Sequence, residues 1–429
     1  MPLTEAGYKP RLIDPVISRY LKTFGAVSVE GPKWCGKTWT SLNHAESVFY
    51  VGDPSYGFSN RRLAKLDPGA ALSGTLPRLV DEWQEVPGIW DAVRFTVDRS
   101  QEKGSFILTG STTPADSQVM HSGAGRIARI TMRPMTLFES GNSQNLISLK
   151  ALLNAEPIPI CQSKITLGSL ISLIIRGGWP NNIDTPDSES ALIPHSYLDA
   201  LVRKDMTDID GVSRNQIKVR ALLRSLARNN ATLVTNKTLV KDSAAETDDA
   251  KGGLTLVTLA DYLEVLKRLF VLDEIPAWSP EIRAHIRLRV SPKRQLVDPS
   301  LAAAAISADK GMLLSDLKTL GFLFESLCLR DLLVYATIHN GVIHHYLDST
   351  GLDVDAILEL PGGAWAAFEI KLGVDQVEEA ALKLLRLKSK ITAAGNKPPC
   401  CLAVLVGIGA ISEMRSDGVA IVPLDCLAP

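Results

Sequence analysis

The chain has 429 residues, 45% of them hydrophobic and 22% charged, which is room and apolar material for about three packed domains. Its 46 basic and 47 acidic side chains nearly cancel, so a uniformly basic coat for nucleic acid is excluded and any such surface has to be local. Cys35, Cys161, Cys328, Cys400, Cys401 and Cys426 form no C-x-x-C pair, which excludes a zinc ribbon and fits a reducing compartment. With no apolar run of membrane-spanning length and no signal-peptide centre in residues 1 to 20, the sequence predicts a soluble cytoplasmic protein without membrane contact.

Taken in order, Asp14 to Thr23 has helical spacing and leads into the apolar alternation Ala26-Val27-Ser28-Val29, a strand. Directly after it stands Gly31-Pro32-Lys33-Trp34-Cys35-Gly36-Lys37-Thr38, the pattern G-x-x-x-x-G-K-T. Gly31 and Gly36 lack a Cβ, so the backbone can fold tightly and aim successive N–H groups at phosphate oxygens. Lys37 then reaches the β- and γ-phosphates of ATP, the Thr38 hydroxyl meets Mg2+, and the helix that follows turns its positive end to the same anion.

Val48 to Val51 reads as a strand closed by Gly52-Asp53-Pro54. Pro77-Arg78-Leu79-Val80-Asp81-Glu82 is an apolar run ending in two carboxylates. A carboxylate at a strand end suits the magnesium shell, which points to Asp81, and a neighbouring base that orients water points to Glu82. Phe106-Ile107-Leu108-Thr109-Gly110-Ser111 repeats the form with hydroxyls, so Thr109 or Ser111 can reach the γ-phosphate or the attacking water. Beyond a polar loop, Arg126 is the candidate charge for the transferring phosphoryl group, in cis or from a neighbouring subunit.

Together with Pro134 through Glu139 and Arg176-Gly177-Gly178-Trp179-Pro180, these motifs resemble a family of bacterial and archaeal AAA-type ATPases with an uncharacterised C-terminal domain. Many of its members carry an Arg-Gln-Val-like segment inside the phosphate loop. Here Lys33-Trp34-Cys35 stands there, with both glycines, Lys37 and Thr38 intact. The resemblance implies that Arg176 to Pro180 closes the ATPase part, and the polar residues Asn181 to Ser190 after it read as a linker or exposed turn.

Leu167 to Ile175 reads as a buried helix. Asn215 to Ala227 has helical spacing with Ile217, Leu222, Leu223 and Leu226 inward and Lys218, Arg220, Arg224 and Arg228 outward. A second helical pattern runs from Leu259 to Leu269, and Arg283, Arg287, Arg289, Lys293 and Arg294 then fall in a strand-like stretch. Helices followed by a basic ribbon fit a winged-helix module that lies on DNA or RNA.

The last hundred or so residues read helix, three strands, helix, strand, an order that matches the PD-(D/E)XK nuclease-like core. Pro361-Gly362-Gly363 is a turn, and a hairpin centred on Gly362 sets Asp355 opposite Glu369 and Asp353 opposite Lys371. Alternation puts those four on one face and Val354, Ala356, Leu358, Phe368, Ile370 and Leu372 on the other. Facing carboxylates repel, and a divalent cation would relieve the repulsion, with Lys371 positioning water or stabilising developing phosphate charge. The nuclease resemblance adds Glu325, on the preceding helix, as a further metal ligand beside Asp355 and Glu369.

The expected architecture is α/β: an N-terminal P-loop AAA-type parallel sheet with helices over 1–190, a helical and winged-helix region over 191–310, and an α/β PD-(D/E)XK nuclease-like domain over 311–429. The expected function is ATP hydrolysis governing a nucleic-acid-binding, metal-dependent nuclease C-terminus, an oligomer being compatible with it. The alternative is a nucleotide-dependent switch that binds a protein or DNA partner without cleavage.

Overall fold

The computed structural model describes residues 3–113, 119–246, 253–280 and 291–429. The chain divides into two compact units, the first formed by Met1–Pro134, Asp205–Ser213 and Glu264–Val271 and the second by Met135–Lys204, Arg214–Leu263 and Leu272–Pro429.

In the first unit, β1 (Ala26–Glu30), β2 (Ser47–Tyr50), β3 (Arg78–Asp81), β4 (Phe106–Gly110) and β5 (Ile127–Thr131) form one sheet in the order β2-β3-β4-β1-β5. Every pairing is parallel. A parallel sheet is covered on both faces, and β1 and β4 are accordingly buried along their whole length. One face packs Val80 and Leu108 with Trp83 and with Trp90 of the Gly88–Ser100 helix; the other packs Val27, Val29, Leu79 and Ile107 with Ile17 from the Asp14–Leu21 helix.

The second unit contains two short pairings, β6 (Ile147–Ser148) with β15 (Leu427–Ala428) and β7 (Leu272–Ile275) with β8 (Lys293–Leu296). Its main sheet joins β9 (Val342–Leu347), β10 (Asp353–Glu359), β11 (Trp365–Lys371), β12 (Cys401–Val406), β13 (Glu413–Met414) and β14 (Val419–Pro423) in the order β13-β14-β12-β11-β10-β9. The β9-β10-β11 meander is antiparallel, whereas β11, β12 and β14 run parallel. The Val377–Ala393 helix lays Ala380, Ala381, Leu384 and Leu387 on that sheet.

The helices of the second unit gather round Pro299–Ala305, a short alanine-rich helix buried at every residue. Asp298 caps it and accepts from the Ser300 N–H at 3.0 Å and the Gly178 N–H at 3.0 Å. Trp179 donates its indole N–H to Ser300 Oγ at 2.9 Å. Arg330, on the Leu317–Ile338 helix, reaches Asp298 at 3.0 Å and Asp331 at 2.8 Å, and Asp331 accepts from the Leu137 N–H at 3.0 Å. Arg176 to Pro180 is thus a clamp within the second unit, whereas the resemblance implies that it closes the ATPase part. In the expected exposed turn after it, Asn182 is buried and donates to the carbonyls of Arg176 at 2.7 Å and Ser190 at 2.8 Å.

The Gln216–Arg228 helix buries Leu222, Leu223 and Leu226 as its spacing predicts, but Ile217 is 66% exposed and Val219 is buried in its stead. Ile217 sits in the first turn beside the Asn215 cap, off the stripe that faces the neighbouring helices. Among the described residues no helix is long and apolar enough to cross a membrane.

Arg330→Ala strands two buried carboxylates. It is expected to cost about 3–5 kcal/mol, read from the denaturation midpoint; a loss within the range of a surface substitution would mean the clamp is not structural.

Candidate functional site

The carboxyl ends of parallel strands share one edge, and the register of β1 on β4 sets Glu30 beside Gly110 there. The phosphate loop leaves β1 at this edge. A Cβ on Gly31 would lie 2.1 Å from the Met132 carbonyl oxygen, and Gly36 adopts φ 101°, so each position needs glycine for its own reason. Lys37 is buried and donates to the Pro32 carbonyl at 2.7 Å. The Cys35 side chain turns into the core, while its carbonyl accepts from Arg11 at 2.7 Å, so only its backbone belongs to the loop. Lys33 pairs with Asp205 at 2.7 Å, and Trp34 is half exposed at φ 64°.

Asp81 Oδ1 accepts from Thr38 at 2.7 Å and from Thr109 at 2.6 Å. Burial pushes the Asp81 carboxyl up, against the pull of those two hydroxyls. Glu82 adopts the left-handed region at φ 57°; its N–H donates to Thr109 Oγ1 at 3.1 Å and its carboxylate accepts from Ser111 at 3.0 Å and from Gln84. Non-glycine residues held at positive φ cluster where function over-determines the backbone. Thr38, Asp81, Glu82, Thr109 and Ser111 thus meet beside Lys37. Neutral donors around a buried carboxylate next to a threonine hydroxyl fit a Mg2+ shell, and the open glycine cradle fits the phosphates.

Arg126 is not part of this group. It precedes β5, whose first residue Ile127 pairs with Ala26, the first of β1, so it lies at the opposite edge of the sheet from the loop. There it bonds Asp98 at 2.6 Å. A role at the phosphates in cis is excluded by the strand direction. Gln84, which steadies Glu82, is absent from the sequence-based candidates; its spacing two residues after the carboxylate is the only signal for it.

In the second unit, β10 and β11 pair Ala356 with Phe368 and Glu359 with Trp365, a register that continues to Asp355 opposite Glu369. The turn-centred reading gives the same register. Val354 instead packs with Ile357 and Ala367, because the β9–β10 register slips between Val354 and Ile357.

Lysines interleave with the carboxylates here. Lys293 bonds Glu325 at 2.6 Å and lies 3.8 Å from Asp355; Lys371 lies 3.4 Å from Asp355 and 2.8 Å from Glu369; Lys383 bridges Glu369 at 3.0 Å and Asp353 at 3.1 Å. Four carboxylates and three ammonium groups therefore alternate along one chain of contacts. Burial would raise the Asp355 carboxyl, but Lys293, Lys371 and Lys383 hold it below its ordinary value. For Glu325 and Glu369 burial prevails and pushes both up to about 7. Among the described residues no group of three or more His, Cys, Asp or Glu side chains is arranged to hold a metal ion.

Lys293 and Arg294 do not form a basic ribbon. Both are buried in β8, and Arg294 pairs with Glu274 at 2.9 Å. Alternation alone does not reveal this, since their carboxylate partners come from distant segments. Arg283, Arg287 and Arg289 lie outside the described residues.

Residues 23–140 match the model of an AAA domain, while 167–311 and 320–427 each match a domain of unknown function (DUF8612 and DUF4143). Two uncharacterized proteins, from Mycobacterium bovis and Mycobacterium tuberculosis, are each 24% identical over 363 residues, covering 83% of this chain and 72% of theirs. Among solved structures, the Walker-type ATPase of Pyrococcus abyssi aligns over 71% of this chain and 97% of its own at TM-score 0.42 and 11% identity. The ORC1 protein of Aeropyrum pernix in complex with DNA aligns over 70% and 94% at TM-score 0.27 and 13% identity. The chain carries an AAA-type P-loop module, and with it a nucleotide-binding site for ATP.

Gly31→Ala forces its methyl group against the Met132 carbonyl. The expected cost is about 1–3 kcal/mol, seen as a lower thermal midpoint with weaker ATP binding, and an unperturbed variant would show that the loop has slack. A carboxyl raised in the folded chain favours folding below its ordinary value of about 4.3 and loses that contribution as pH rises through its folded value. Between about pH 5 and 7 the stability of the wild type should therefore fall with rising pH, and Glu369→Gln should flatten the slope; identical slopes would contradict it.

Proposed function

We propose that this protein is an ATP hydrolase whose nucleotide cycle governs the remainder of the chain. The observation that carries the reading is the convergence of Lys37, Thr38, Asp81 and Glu82 at one sheet edge, with Thr38 and Asp81 2.7 Å apart. Gly31 to Thr38 hold the phosphates through backbone N–H groups and Lys37. Thr38 and Asp81 hold Mg2+, which when bound neutralises charge developing on the phosphoryl oxygens. Glu82 orients the attacking water and takes its proton, with Ser111 and Gln84 fixing the carboxylate that does so.

We assign nucleic-acid contact to the region 191–310, supported by the family resemblance and by Arg224 and Arg228, which are exposed one turn apart on the Gln216–Arg228 helix. The limits 191–310 and 311–429 belong to the same proposal, as do an ATPase part ahead of them and the PD-(D/E)XK-like reading of the last part. The second reading, a nucleotide-dependent switch that binds a protein or DNA partner without cleavage, is favoured by the lysines interleaved with the C-terminal carboxylates.

Lys37→Ala should abolish ATP binding in calorimetry. Glu82→Gln should keep the affinity and lower turnover about a hundredfold or more. Wild-type turnover in Glu82→Gln would remove it as the base. DNA affinity that differs between ATP- and ADP-loaded protein, with no nicking, would decide for the switch.

A further inference from the structure

A divalent cation in a carboxylate site is held by oxygens that converge on one point. Three oxygens do converge beside Asp355, but the group at their centre is the Lys293 ammonium. It lies 2.6 Å from Glu325 Oε1, 3.2 Å from the Asp355 carbonyl and 3.8 Å from Asp355 Oδ1. An ammonium group has three N–H donors and one positive charge, so it satisfies such a cluster as a small cation would. Lys293 comes from β8, which pairs with β7 and is no part of the six-stranded sheet that carries Asp355 and Glu369. Its side chain is 9% exposed, beside Glu325 at 14% and Asp355 at 10%.

The third expected ligand, Glu369, is fully buried, with the Lys371 ammonium 2.8 Å from one carboxylate oxygen and the Lys383 ammonium 3.0 Å from the other. Among the described residues these acids form no group of three or more that is arranged to hold a metal ion. The residues present therefore do not fit the metal that a PD-(D/E)XK-like fold implies.

We infer that Lys293 is the resident cation of the Glu325–Asp355 site, a tethered ammonium that occupies the place of a divalent ion and keeps it out. A free ion must displace an ammonium anchored on the same chain and leave that charge without a partner in a buried setting, which is costly. The site is then closed to metal while β8 stays in register, whatever happens at the phosphate loop. This closure is independent of ATP hydrolysis.

The test uses the full-length, nucleotide-free chain titrated with Mn2+ in a calorimeter. Wild type and Asp355→Asn should bind the same number of Mn2+ ions. Lys293→Met, which keeps an unbranched apolar stem and removes the charge, should gain one equivalent of Mn2+, and adding Glu325→Gln should abolish the gain. Lys293→Arg should gain none. A wild-type Mn2+ site that disappears in Asp355→Asn overturns the inference, and so does a folded Lys293→Met that gains no ion. Should Lys293→Met prove unfolded, the readout becomes its thermal transition with Mn2+ or with NaCl at matched ionic strength. Recovery by Mn2+ alone supports the inference; no recovery, or equal recovery by salt, overturns it.

Discussion

The second unit depends on a guanidinium almost wholly shut off from water. Arg330 is 2% exposed, and burial alone would favour its loss of charge, yet Asp331 and Asp298 hold it firmly protonated. Each aspartate also serves the backbone, since Asp298 caps the alanine-rich helix and ties down Gly178 while Asp331 ties down Leu137. One buried ion triad thus joins two loops to two helices. Charged groups in such a setting add little net stability against an apolar alternative, but they reject every arrangement that leaves one of them unpaired. The specificity lies in those alternatives.

The two carboxylate clusters of the molecule solve desolvation differently, and the difference bears on chemistry. At the phosphate loop Asp81 is satisfied by neutral hydroxyls, so burial still penalises its charge and an added cation would relieve the penalty. In the C-terminal sheet the partners are lysines, which already supply the positive charge. Buried acids of the same kind therefore differ in their appetite for metal, and what decides it is the charge of the donors that surround them.

Local grammar makes much of this legible. The glycine spacing from Gly31 to Gly36, the strand before it and the carboxylates at Asp81 and Glu82 are features of a few consecutive residues, set by backbone sterics and strand ends. The β10–β11 register is legible because the Pro361-Gly362-Gly363 turn fixes it. Partnerships across long separations are not. Lys293 reads as part of a surface ribbon because Glu325 and Asp355, its partners, are far along the chain and nothing in alternation reveals them. Arg126 misleads as a cis residue for another reason: it stands before its strand, and in a parallel sheet that is the edge away from the chain's own phosphate loop. Arg176 to Pro180 falls in the second unit because its contacts, Asp298 and Ser300, lie more than a hundred residues downstream, beyond the reach of any local pattern.

The Pro299–Ala305 helix has a consequence for how this protein can change. Alanine has no side-chain rotamers to lose on folding, so a helix of alanines enters the interior at low entropic cost. It also has nothing to trim. Every residue of Ala302-Ala303-Ala304-Ala305 is buried, so substitution there proceeds almost wholly towards larger side chains, which the surrounding helices must move to admit. Variation should therefore accumulate on the elements packed around this helix and spare its own inward surface. Divergence would reshape the shell about a fixed axis.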